Sequence, residues 1–159
     1  MNTESDKLTA PVTRNRGSNM FAIASGKGGV GKTWFSITLA HALSKKGQRV
    51  LLFDGDLGLA NLDIQLGLMP KHDLSTVISG RLTLNQVIVD FPEAGFDIIA
   101  GRSGSGGLAN IASSRLQMVG DDLALLSANY DTVLMDLGAG IERTVRQLAH
   151  NAKTCIVLL

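Results

Sequence analysis

Ser25-Gly26-Lys27-Gly28-Gly29-Val30-Gly31-Lys32-Thr33 is the stretch that decides how this chain is read. From Gly26 to Thr33 it fits the phosphate-binding pattern G-x-x-x-x-G-K-[ST], and it carries a second lysine, Lys27, inside the loop. Glycines at 26, 28, 29 and 31 let the backbone curl until successive amide N–H groups face phosphate oxygens, with the positive end of the following helix behind them. The cradle is therefore expected from the amides of Gly28, Gly29, Val30, Gly31, Lys32, Thr33 and Trp34. Lys32 can reach the β- and γ-phosphates, and the Thr33 hydroxyl suits Mg²⁺. The pattern predicts a nucleoside triphosphate site.

The flanking residues agree. Met20 to Ser25 reads as a short buried strand, and Phe35, Leu39, Ala42 and Leu43 follow at helical spacing, so strand, loop and helix come in the required order. Gly47 supplies a helix stop, and Arg49 to Asp54 reads as a second buried strand ending on an acid. Asp56 lies two residues beyond Asp54, and in an extended segment both side chains point the same way. Tyr130 to Asp136 is another apolar strand running into an acid. Asp54, Asp56 and Asp136 thus stand at or just past the carboxyl ends of strands, where open α/β sheets bind ligands. Asp136 is expected to hold Mg²⁺ through water. Of Asp54 and Asp56, one can face the metal's water while the other orients the water that attacks the γ-phosphate.

Between these landmarks, Gly55 to Met69 reads as a loop, and Leu74 to Ile78 and Leu84 to Ile88 as short helices joined through Gly80. Phe96 to Ala100 is a further strand. Leu116, Val119, Leu123 and Leu126 mark an amphipathic helix, and Ile141, Val145, Leu148 and Ala149 a last one before a strand over Thr154 to Leu159. Strands alternating with helices imply an α/β fold, a mainly parallel sheet flanked by helices on both faces. The chain stops on that apolar strand with nothing after it to cross over and cover it. Residues 20–159 are accordingly expected to be the N-terminal portion of a longer domain, truncated at its C-terminal side, and polar residues 1–19 a disordered tail.

Composition narrows the functional classes. In 159 residues, 45% are hydrophobic, enough to fill one globular core, and 15 basic against 14 acidic residues leave a net charge of +1. That balance gives no general pull toward nucleic acid or an anionic membrane. With no signal-peptide pattern and no apolar run long enough to span a bilayer, the expected compartment is the cytoplasm. The single cysteine, Cys155, sits in an apolar run and is expected as a buried small hydrophobe.

The stretch Lys27-Gly28-Gly29-Val30-Gly31-Lys32-Thr33 resembles the deviant Walker A motif of the MinD/ParA ATPases. Asp54-Gly55-Asp56-Leu57-Gly58-Leu59-Ala60-Asn61-Leu62-Asp63 is similar to that family's first switch, and Asp136-Leu137-Gly138-Ala139-Gly140-Ile141 to its Walker B and second switch. Within the family these runs look most like the branch of MinD and the flagellar-number regulator FlhG (FleN). The glycine where MinD has proline, in Asp136 to Ile141, leans toward FlhG.

The resemblance implies a P-loop fold and a cytoplasmic, Mg²⁺-dependent ATPase switch in which ATP drives formation of a homodimer. Lys27 would cross that interface to touch the nucleotide of the other subunit, and Lys32 and Thr33 would hold phosphate and Mg²⁺. Asp54 and Asp136 would sit around the metal, Asp56 would orient the hydrolytic water, and Asn61 would belong to the first switch. A regulatory partner, an FlhF-like GTPase or a division regulator, is implied as well. The N-terminal residues show no clear version of the glutamine-containing motif through which FlhG stimulates FlhF.

Trp34 replaces a small hydroxyl residue common in the family, which removes a side-chain contact to the α-phosphate and leaves the amide. The family's adenine contacts and its amphipathic membrane helix would fall beyond Leu159, which leaves membrane association open. Two other readings stand beside the switch. One is a nucleotide-gated scaffold without useful hydrolysis, and the other a ParA-like DNA-partition ATPase, which would need a basic surface. Iron-sulfur relatives would need clustered cysteines.

The remaining features are bland. His41, His72 and His150 make no metal-ligand spacing and are expected at the surface or at helix ends. The Gly101 to Gly107 run, with Arg102, reads as a surface loop rather than a second phosphate cradle. Trp34 beside Phe35 reads as core or interface packing rather than a platform for a base.

Overall fold

In the computed structural model, which describes residues 17–101 and 110–159, the chain forms one six-stranded sheet with helices on both faces. Of the tail expected over residues 1–19, residues 1–16 lie outside the described residues, as does the run from Arg102 to Gly107. Gly17 to Asn19 instead form a turn into the first strand, with Asn19 Nδ2 donating to Ser127 O and Tyr130 O. In chain order the elements are β1 (Met20–Ser25), α1 (Lys32–Lys45), β2 (Val50–Gly55), α2 (Leu62–Leu66) and α3 (Leu74–Ile78). Then come β3 (Ile88–Phe91), β4 (Phe96–Ile99), α4 (Ser113–Leu126), β5 (Thr132–Ala139), α5 (Arg143–Ala149) and β6 (Thr154–Leu158).

The strand order is β3-β4-β2-β5-β1-β6, with β3 antiparallel to β4 and every other pair parallel. Every residue of β2 is buried, as is β5 from Thr132 to Gly138. Parallel strands covered on both faces read as continuous apolar runs, which is why these two were plain in the sequence. On one face Leu116, Val119 and Leu123 of α4 pack with Val145 and Leu148 of α5 against Leu51, Phe53, Val133 and Met135. On the other face α1 and α2 cover Ile23, Val50, Leu52, Ile98 and Leu134.

The stripe of α1 turned fully inward is Lys32, Ser36 and Ala40. Phe35, Leu39 and Leu43 are half-buried along its flank, and Ala42, expected on the apolar face, is exposed. Small and polar residues face the sheet because the helix starts at the functional end of β1, where a wide apolar stripe would hold it away. The helix ends where Gly47 takes φ +83°, so that Lys46 and Gly47 donate to Leu43 O and Ser44 O.

Four further sequence expectations are corrected. Leu84 to Ile88 forms a 3₁₀ turn over Leu84–Val87, and Ile88 then opens β3, because antiparallel pairing with β4 claims it. The loop expected over Gly55 to Met69 contains α2, one turn stopped by Gly67. Ile141 precedes α5 and is 82% exposed instead of facing the core. Cys155 is exposed, since β6 is an edge strand with one neighbour and no described helix lies over its outer face. The three histidines are exposed, as expected, with His41 against Ala94 O and His150 capping α5. Among the described residues no helix is long and apolar enough to cross a membrane.

Candidate nucleotide site

The loop between β1 and α1 opens into a cleft of about 620 Å³ at the carboxyl ends of β1, β2 and β5. This is the crevice position expected of an open α/β sheet whose chain, leaving β1, passes over β5 to reach β2. Gly29 and Gly31 take φ of +77° and +89°, conformations that L side chains resist, so glycine is required at both. At Gly26, Gly28, Gly29 and Gly31 a Cβ would meet nothing within 4 Å, so the loop's concave side is open.

At the base of the cleft Asp136 collects three donors. Lys32 Nζ lies 2.7 Å from its Oδ1, Thr33 Oγ1 donates to Oδ2 at 2.7 Å, and Ser36 Oγ donates to Oδ1 at 3.2 Å. Lys32 and Asp136 are both buried, so this is a charge-assisted pair in a low-dielectric setting. Ser36 also reaches Lys32 O at 2.9 Å. Sequence reasoning missed Ser36; the signal was a hydroxyl one helical turn beyond Lys32, on the same face.

Asp54 stands directly opposite Asp136 in the β2–β5 register and is 1% exposed. Its oxygens accept from the amides of Leu62 and Asp56, each at 3.2 Å. Burial, with smaller contributions from the charges of Asp136 and Asp56, pushes its pKa up to about 7 against the lowering pull of those two amides. Asp56 is half-buried, and its Oδ1 accepts from the amides of Gly58 and Leu59 at 3.3 and 2.9 Å. It lies against the end of β5: a Cβ on Gly138 would be 3.3 Å from that same oxygen. Behind this segment, a Cβ on Gly101 would be 2.4 Å from Ala60 Cβ and 3.2 Å from Asp54 Cγ, so only glycine lets the end of β4 approach so closely.

The raised Asp54 pKa has a consequence for stability. Between about pH 4 and pH 7 the folded chain keeps a proton that the unfolded chain releases, so the stability this group contributes at low pH is lost as pH rises through that window. Without Mg²⁺, the urea midpoint of Asp54→Asn should fall less steeply over that range than that of wild type. Equal slopes would show that Asp54 ionises normally in the folded chain.

Most of the residues expected to form the site converge; Val30, half-buried, and Lys27 are not among those that line the cleft. Gly28, Gly29, Gly31, Lys32, Thr33, Trp34 and Asp56 line the cleft, with Asp54 and Asp136 beneath it. Lys27 is exposed in the loop, and Trp34 is 69% exposed, which removes the core-packing reading and leaves the interface one. Asn61, Leu59, Glu142 and Thr144 line the opposite walls.

The donor set fits a polyphosphate: open glycine amides, one buried lysine and a hydroxyl at a helix start. Among the described residues no three His, Cys, Asp or Glu side chains converge on one point as a closed metal cage. Mg²⁺ keeps several waters and takes one or two protein oxygens plus those of a phosphate, a demand that Thr33 and Asp136 could meet beside a bound phosphate.

Comparison with known proteins agrees. Residues 21–158 match the family model of the CobQ/CobB/MinD/ParA nucleotide binding domain. Over 140 residues the chain is 37% identical to the antiactivator FleN of Pseudomonas aeruginosa, covering 88% of this chain and 50% of that one. It is 39% identical over 148 residues to the flagellum site-determining protein YlxH of Helicobacter pylori, covering 91% and 49%. The chain therefore spans about half the length of these curated relatives. Among solved structures, the septum site-determining protein MinD of Pyrococcus horikoshii, complexed with Mg-ADP, matches with a TM-score of 0.78 at 29% identity, covering 88% of this chain and 57% of that one. The expected P-loop fold and the expected branch are both met: the chain belongs to the CobQ/CobB/MinD/ParA nucleotide-binding family, and its likeness runs to FleN, YlxH and MinD.

Proposed function

We propose that the chain carries the ATP-binding and hydrolysing part of a MinD/ParA-type switch, in which ATP draws two copies together and slow hydrolysis releases them. The observation that carries this reading is the buried Lys32–Asp136–Thr33 constellation beneath an open glycine loop. Lys32 is held close to the loop by Asp136, and a phosphate would take it over by offering more negative charge in the same place. Thr33, Asp54 and Asp136 are the groups that would hold Mg²⁺, directly or through water. When bound, that ion would neutralise the β- and γ-phosphate oxygens as charge builds on them. Asp56 would position the attacking water. Phosphoryl transfer to water needs this placement and charge compensation more than covalent help from the protein.

Lys27, exposed in the loop, would reach a nucleotide held by a second copy, and exposed Trp34 and Leu59 line the same cleft. FleN and YlxH, similar over this span, support a role in the number or placement of flagella; the likeness to MinD keeps division-site control as the neighbouring reading. A protein partner, an FlhF-like GTPase or a division regulator, would read the ATP-bound form in the cytoplasm.

Calorimetry with Mg-ATP and Mg-ADP, run beside light scattering, tests the proposal. Micromolar ATP affinity with a shift of mass toward the dimer is expected in wild type, and Lys27→Ala should keep the affinity and lose the shift. A folded wild-type chain that binds neither nucleotide would sink the reading. Single-turnover hydrolysis separates the switch from a scaffold that binds without turning over.

A further inference from the structure

Ser25 ends β1 immediately before the glycine loop and is one of the residues lining the cleft, although it is only 3% exposed. Its Oγ is the one buried side-chain polar atom among the described residues that finds no hydrogen-bond partner. Buried hydroxyls are almost always paired, because leaving one unpaired forfeits its hydration with no return. The backbone of Ser25 is well satisfied: its carbonyl accepts from Gly140 N at 2.8 Å, and the residue pairs in register with Ala139. The mismatch is confined to the side chain, which belongs to a residue lining the cleft.

We propose that Ser25 is a nucleotide-contacting residue whose hydroxyl donates to an oxygen of the terminal phosphate, so that it favours ATP over ADP. This rests on the ATP-binding reading above and goes beyond the loop motif, which begins at Gly26. Position argues for the terminal phosphate. The amides at the start of α1 serve the phosphates nearer the nucleoside, and the Thr33 hydroxyl serves Mg²⁺. Ser25 lies at the opposite, strand end of the loop. It is flanked there by Gly138 and Ala139 of β5, with Asp56 against Gly138. The group that enters between Ser25 and Asp56 is the one that hydrolysis removes. A hydroxyl that is unpaired without ligand and paired with it also gives ATP an advantage that a hydroxyl already bonded within the protein cannot give.

Ser25→Ala tests this in the full 159-residue chain, with Ser25→Thr as the variant that restores a hydroxyl. Without nucleotide, Ser25→Ala should melt at the same temperature as wild type or slightly higher, because it deletes an unpaired polar atom. Its affinity for a non-hydrolysable ATP analogue with Mg²⁺ should fall about tenfold, with ADP affinity unchanged. The thermal shift given by the analogue should shrink in step. Ser25→Thr should regain part of the preference. An unchanged ratio of ATP to ADP affinity would overturn the role of Ser25 while leaving the site standing. Equal loss of both nucleotides with a lower melting temperature would reduce Ser25 to a structural residue. Wild type that binds neither nucleotide would remove the site and this proposal with it.

Discussion

Lys32→Ala is expected to lower ATP affinity by about a hundredfold and bring turnover to background, and it should also weaken the fold. Loss of a charge-assisted contact to phosphate is worth about 3 kcal/mol, which sets the affinity change. The effect on the fold comes from Asp136. With 1% exposure and Lys32 at 2.7 Å, its carboxylate has its charge compensated in a place where water cannot do it. Removing one member of such a pair costs about 3 kcal/mol, because the survivor must stay charged without a partner or take up a proton. Thr33 and Ser36 still donate to Asp136 and hold the loss toward the lower end.

The double variant Lys32→Ala with Asp136→Asn separates the two losses. Its urea midpoint should recover most of the lost stability while its ATP affinity stays low. If Lys32→Ala binds ATP within a few-fold of wild type, the lysine does not face phosphate and the site is misassigned.

Asp56→Asn should separate binding from chemistry in the other direction. The amide oxygen of asparagine can still accept from Gly58 and Leu59, so the segment after β2 keeps its shape, and only the negative charge and its basicity are lost. Affinity for Mg-ATP should stay within about threefold of wild type, while the rate of hydrolysis falls by about 10²- to 10⁴-fold, the usual worth of a well-placed proton acceptor. Light scattering should then find the dimer persisting longer after ATP is added. Hydrolysis at the wild-type rate in Asp56→Asn would take the water-positioning role away from this residue, and hydrolysis near the wild-type rate in both variants would refute the assignment of the site as a whole.

Much of this arrangement was legible in the residues, and the reason is local. The loop from Gly26 to Thr33 and the apolar runs into Asp54 and Asp136 are each written within a few consecutive positions, and β2 and β5 are buried on both sides, so their pattern has no competitor. What was hidden depends on neighbours far along the chain. Ile88 looks like the end of a helical turn until antiparallel pairing with Ile99 makes it a strand residue. Cys155 has apolar surroundings in sequence and open surroundings in space, and Ile141, at helical spacing from Val145 and Leu148, stands exposed before α5. Within the site, Ser36 and Ser25 were passed over because serine carries no motif of its own. Their weight appears only once Asp136 is seen beside one hydroxyl and no partner beside the other.

The strand order also says when the site can come into being. β1 carries the loop, yet its hydrogen-bonded neighbours are β5 and β6, with Met20 pairing Val133 and Phe21 pairing Thr154. A chain emerging from the ribosome thus makes its phosphate loop early and leaves it on an unpaired strand until more than a hundred residues have followed. Contacts of such long sequence separation form slowly, since loop closure must be met before they return anything. ATP can act as a folding ligand only after β5 has inserted between β1 and β2, bringing Asp136 to Lys32. The glycine loop is thus first in synthesis and among the last parts to become functional, and before β5 docks, bare edges of β1 and β2 are where chaperones or misassembly would find this protein.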